Sequence, residues 1–216
     1  MTRTSIRLAI IANQRTLLEG AELWFGRDGM EADLIIVESR WSGFMVAAFD
    51  ITPDVVILDM SMDDKNSVAM KLGALKHLGV RVLLTGDRPP VEVVRSALEA
   101  GAAGFVCRTA GFAVMAEAVM EVDSGRRYVS AAMSASLAKP SRVQRLKLSP
   151  QEVRVVSGVG SDMTMSEVAA RLGISKNTAM EHLKNARNKG DAAGINIRTL
   201  ISVHQYAGQA GYLDAA

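Results

Sequence analysis

Three side chains that can do chemistry stand at or just after the ends of short apolar runs. They are the carboxylate of Asp59, the hydroxyl of Thr85 and the guanidinium of Arg108. A further run, Ile6–Ile11, ends on Ala12 and Asn13, which carry no charge. A lone carboxylate is a poor Mg²⁺ site, because that ion asks for near-octahedral oxygen ligation, usually with one or two carboxylates. Asp63 and Asp64 lie close to Asp59 in sequence, but nothing in the spacing shows that they complete a cage. A guanidinium can grip a carboxylate with two parallel hydrogen bonds, so an Asp59–Arg108 pair is expected to stand in partly for a metal. Its alternative is an Arg108 turned to solvent. No nucleophile elbow, phosphate-binding glycine loop or cluster of metal ligands is present, so an enzyme is not expected.

The elements that would position these groups follow from hydrophobic patterning. Ile6–Ile11, Asp33–Val37, Asp54–Leu58, Val80–Thr85 and Gly104–Cys107 are apolar without alternation, as strands buried on both faces of a parallel sheet are. Between them Arg15–Phe25, Trp41–Phe49, Asn66–Leu78, Val91–Ala100 and Ala113–Val122 read as helices. Five such units predict an α/β doubly wound, five-stranded parallel sheet. Ligands of that architecture sit at the carboxyl ends of the strands, where Ala12, Asn13, Asp59, Thr85 and Arg108 fall.

The second half is patterned differently. Ser149-Pro150-Gln151-Glu152 and Thr164-Met165-Ser166-Glu167 are capping boxes, and Ser175 caps a third helix over Lys176–Lys189. A fourth helix is expected over Arg198–Gln209. Gly173 breaks the second helix, and the tight turn to the third makes a helix-turn-helix, whose second helix enters the DNA major groove. A plain helical bundle is the bland alternative. The predicted division is 1–125, a linker over 126–145 with some helical turns, and an all-α four-helix domain over 146–216.

Composition supports two modules. Lys+Arg and Asp+Glu number 25 and 23 in 216 residues, a net of +2. Residues 1–125 hold 12 and 17, a net of −5, and residues 126–216 hold 13 and 6, a net of +7. A basic second half suits a polyanionic partner. Yet residues 146–216 hold only 8 and 6, so much of the excess lies in the linker, at Arg126, Arg127, Lys139, Arg142 and Arg145. The single Cys107 excludes an internal disulfide framework. The absence of an apolar run of about 20 residues and of a signal peptide points to the cytoplasm and away from a membrane. His77, His182 and His204 are expected to be structural or exposed, and the twelve methionines to fill cores.

Three segments of the first half, Pro53–Met60, Val82–Gly86 and Ala97–Arg108, resemble the receiver domain (flavodoxin-like) of bacterial response regulators. The resemblance covers about residues 5–125. It implies that Asp59 matches the phosphoacceptor aspartate and Thr85 the hydroxyl residue that meets the phosphoryl group. Phe105 stands at the aromatic switch position, and Arg108 stands where the family has lysine. Ala12 and Asn13 replace the family's acidic metal-binding pair, and Asp63 replaces a proline, so Mg²⁺ binding is expected to be weak or absent.

Leu148–Glu152, Ser166–Leu183 and Arg198–Ala207 look like the four-helix DNA-binding domain of the NarL/FixJ (LuxR-type) family. That likeness covers about residues 146–213. It implies a third helix that reads double-stranded DNA through Lys176, Asn177, Thr178, Met180, Glu181, His182, Lys184 and Lys189. Met180, Glu181 and Lys184 would meet base edges, and Thr178, His182 and Lys189 the backbone. Met180 and Glu181 depart from the family's usual choices, and Glu181 could accept from a cytosine amino group. Asp162 replaces a turn glycine, which aspartate tolerates better than most residues.

The expectation is therefore a dimeric transcription regulator of two-component type with an atypical receiver. It would act by dimerisation or partner binding rather than by Mg²⁺-dependent phosphorylation. Two alternatives stay open: a phosphorylation-switched regulator using Asp59, and an interaction protein that sequesters or recruits another regulator.

Overall fold

A computed structural model of the chain describes residues 5–27, 30–62, 64, 66–139 and 146–212. They divide into two compact units. One runs to Pro89 and resumes over Ala97–Ser136; the other joins Pro90–Ser96 to the residues from Leu137 onward.

The first unit is built on a parallel sheet. Its strands are β1 (Ile6–Ile11), β2 (Ala32–Glu38), β3 (Val55–Asp59), β4 (Arg81–Gly86), β5 (Gly104–Cys107) and β6 (Tyr128–Val129), in the order β2-β1-β3-β4-β5-β6. The helices between and after the strands are α1 (Arg15–Phe25), α2 (Trp41–Asp50), α3 (Val68–His77), α4 (Val91–Glu99), which the division into units cuts after Ser96, and α5 (Phe112–Asp123). Every residue of β3 is buried, as its unbroken apolar run requires. The five expected strands all form. A sixth, β6, lies in the stretch read as linker, where Tyr128 and Val129 pair with Gly104 and Phe105 of β5. Two residues are too few to show alternation, so the pattern could not reveal it. Helix α3 begins two residues later than expected, because Ser67 is its cap: the Met70 N–H donates to Ser67 Oγ at 3.2 Å.

A short helix α6 (Ala131–Ala138) follows β6. The second unit then folds as α7 (Pro150–Gly160), α8 (Met165–Leu172), α9 (Lys176–Ala192) and α10 (Leu200–Ala210). The boxes at Ser149–Glu152 and Thr164–Glu167 both form. Gly173 ends α8 at φ +66°, a left-handed conformation that costs glycine nothing sterically. Asp162 also takes φ +60°. Val155, Val156, Val168, Leu183, Val203 and Tyr206 form the core. The Tyr206 hydroxyl accepts from the Leu146 N–H at 2.7 Å within it. No helix among the described residues is long and apolar enough to cross a membrane.

Candidate functional site

The parallel register sets Asp59 beside Thr85, both wholly buried at the carboxyl edge of the sheet. Arg108 follows β5 at the start of a 3-10 turn, Arg108–Ala110. Its Nη1 donates to Asp59 Oδ2 at 3.2 Å. The expected pair is therefore present, but through one bond rather than a two-pronged grip. The reason is Ser61, which the sequence reading missed. Its backbone N–H and its Oγ–H both donate to Asp59 Oδ1, at 3.0 and 2.7 Å, and Arg108 Nη2 donates to Ser61 Oγ at 3.4 Å. The guanidinium thus spans the carboxylate and the hydroxyl. A serine two residues beyond a buried carboxylate is a signal for such a turn.

The donor set does not fit Mg²⁺. Ala12 is buried and offers no ligand, and Asn13 presents its amide N–H to the Ser61 carbonyl at 3.2 Å. Asp64 is paired with the buried ammonium of Lys71 at 2.8 Å, and Asp63 lies outside the described residues. Both oxygens of Asp59 already accept hydrogen bonds. Among the described residues no group of three or more His, Cys, Asp or Glu could hold a metal ion. The Thr85 hydroxyl has no hydrogen-bond partner among the described residues, and Phe105 is 3% exposed in the core.

In the second unit, α9 turns Ala179, Leu183, Ala186 and Gly190 inward. Lys176, Asn177, Met180, Glu181 and Lys184 lie on the exposed side, one stripe at helical spacing. Thr178 and His182 are half-buried, and the Thr178 hydroxyl lies 2.8 Å from that of Ser175, in the cap. Lys189, expected near the DNA backbone, is exposed and also makes a bond within the unit. Its Nζ donates to Glu152 Oε2 at 2.6 Å, tying α9 to the cap of α7. Burial raises the Glu152 pKa, but hydrogen bonds from Lys189 and Ser149 with the Lys189 charge outweigh it, leaving the carboxyl below its ordinary value. Asn185 and Asn188, one turn beyond Glu181 and Lys184, share the exposed stripe and were missed. His204 Nδ1–H meets the Gly160 carbonyl, a structural role.

The HTH DNA binding domain family matches residues 161–189, from the end of α7 through most of α9. The probable transcriptional regulatory protein SgaR of Hyphomicrobium methylovorum is 29% identical over 205 residues, covering 93% of each chain. LnrK of Bacillus subtilis, a transcriptional regulatory protein, is 26% identical over 220 residues, 92% of this chain and 99% of its own. The solved structure of RcsB from Salmonella enterica serovar Typhimurium bound to promoter rprA superposes with TM-score 0.70 at 16% identity. It covers 94% of this chain and 98% of that one, a likeness of fold. The chain is thus similar over 93% of its length to a transcriptional regulatory protein, and its α/β unit followed by a helix-turn-helix unit shares its fold with the response regulator RcsB.

Proposed function

We propose that the chain is a DNA-binding transcriptional regulator whose receiver works without Mg²⁺-dependent phosphorylation of Asp59, through dimerisation or a partner protein. One observation carries this reading. Among the described residues the pocket holds a single carboxylate, and Arg108 with Ser61 already satisfies both its oxygens. Phosphoryl transfer depends on positioning and on a metal that neutralises developing charge. Here a fixed guanidinium neutralises Asp59 before any donor arrives. The exposed stripe of α9 supplies the DNA reader, with Met180, Glu181 and Lys184 for base edges, Asn177 beside them, and the Lys176 and Lys184 charges close to phosphates. RcsB is described as two dimers bound to two parallel DNAs, and pairing on two half-sites is the arrangement proposed for this chain.

The test is incubation of the full chain with acetyl phosphate and Mg²⁺, read by mass and by gel shift. The reading requires unmodified Asp59 and unchanged DNA binding. Stoichiometric modification that tightens DNA binding would favour a phosphorylation-switched regulator instead. The buried Thr85 hydroxyl beside Asp59, without a hydrogen-bond partner among the described residues, is the observation that supports that second reading.

A further inference from the structure

We propose that the first unit carries a second site, a cavity beside Arg108 that takes a small carboxylate with an apolar body. The cavity measures about 210 Å³. Gln14, Thr16 and Arg108 give it a polar side, and Leu17, Phe112 and Met115 give it an apolar one. Gly111 completes the lining, at φ +86°.

Charge selects the ligand's head. None of the lining residues is acidic, and Arg108 is a permanent cation. Two helices also begin at this cavity. The cap of α1 is Gln14 and that of α5 is Gly111. Neither cap makes a side-chain hydrogen bond to its helix, and neither helix has an acidic residue in its first turn. The positive ends of both helix dipoles, with no acidic residue in their own first turns, therefore add to a guanidinium whose counter-charge is Asp59. The Asp59 and Ser61 bonds use two of Arg108's five N–H donors. A carboxylate suits the planar fork of a guanidinium.

The walls select the body. Phe112 is braced by Trp24, with ring centroids 6.3 Å apart, so the apolar wall is a fixed surface. A protein cavity of about 150 Å³ is known to hold benzene. One ring carrying a carboxylate therefore fits, with its ring against the apolar side formed by Phe112, Leu17 and Met115, which a bare inorganic anion could not use. A bound carboxylate also competes with Asp59 for the same cation. Occupancy of the cavity thus weakens the Asp59–Arg108 bond and acts on the receiver where the family places its phosphoryl group.

Phenylacetate and its neutral amide, phenylacetamide, test the site on the full chain by calorimetry and by amide NMR spectra. Phenylacetate is expected to bind saturably and to shift signals of Gln14–Leu17, Arg108–Gly111 and Phe112–Met115. The amide is expected to bind at least about tenfold more weakly, since a hydrogen bond to a charged group contributes about 1.5–3 kcal/mol. Arg108→Gln should weaken the acid by a similar factor. Asp59→Asn should tighten it, because Arg108 loses its internal competitor, and this variant keeps the test alive if Arg108→Gln fails to fold. Silence at about 10 mM phenylacetate, far above micromolar constants, overturns the proposal. Equal affinity for acid and amide, or shifts confined to other surfaces, overturns it as well. Because binding is read at the cavity, the result does not depend on whether the chain binds DNA.

Discussion

Asp59 and Arg108 form a pair in which the two partners are unequally placed: the carboxylate is 0% exposed and the guanidinium side chain 15%. Breaking a buried pair by removing one partner leaves an uncompensated charge and costs about 3–5 kcal/mol. Arg108→Gln should therefore destabilise the first unit by about 3 kcal/mol in urea denaturation, with the two Ser61 bonds moderating the loss. Adding Asp59→Asn should recover most of it. Failure of the double variant to recover would mean that Arg108 acts through packing alone. Lys71 and Asp64 offer a mirror image, since here the cation is the hidden partner, at 2% against 21%. Asp64→Asn strands a buried ammonium and should cost about 3 kcal/mol or more. Lys71→Met leaves a partly exposed carboxylate whose Oδ1 keeps the Asn66 N–H at 3.0 Å while its Oδ2 stays buried without a partner, so it should cost less, though not nothing. Equal losses for the two variants would contradict this asymmetry. Of these four residues, Asp59 and Arg108 were legible because each ends an apolar run. The Lys71–Asp64 pair was not, because Lys71 lies in a helix whose periodicity marks faces without marking which polar residue turns inward.

Capping makes the second unit legible at the scale of elements. Ser149, Thr164 and Ser175 announce three helix starts because each side chain has one thing to satisfy, an unpaired N–H of the first turn. The strand runs of the first unit are equally plain because both faces are buried. What stayed hidden depends on contacts distant in sequence: β6, the reach of Arg108 to Ser61, and the tie from Lys189 to Glu152. That tie has a pH consequence. Glu152 has a depressed pKa in the folded state, held by Lys189 and Ser149 against the opposing effect of burial. Its contribution is present above the ordinary glutamate value of about 4.3 and is lost as pH falls through the folded value. Thermal melts of the full chain should therefore show the second unit losing stability below about pH 4.5, with Glu152→Gln less stable at neutral pH and flatter over that acid limb. A parallel acid limb in wild type and variant would remove Glu152 from the account. Gly173→Ala, at φ +66°, should cost about 1 kcal/mol through left-handed strain alone.

Across the whole chain, the net charge of +2 averages an acidic first part and a basic remainder, and the structure shows where the basic charge is engaged. In the second unit Lys189 is held by Glu152 and Arg198 by Asp191, at 2.6 and 2.9 Å. Arg126, one of the cations between the modules, is bonded to Glu121. Lys176 and Lys184 remain on the exposed stripe of α9. DNA affinity falls with salt with a log–log slope of about −0.9 per phosphate neutralised. Two lysines per chain give about −2 for one module and about −4 for a pair on two half-sites. Lys176→Ala or Lys184→Ala should each flatten the paired slope by about 2, one phosphate per half-site. Lys189→Ala should leave the slope unchanged while lowering the melting temperature, because its charge serves Glu152. A wild-type slope near −8 would instead mean that basic residues outside α9 grip the backbone. The arginines at 126, 127, 142 and 145 would then carry a large share of the affinity, and charge-removing substitutions there, rather than on α9, would flatten the slope.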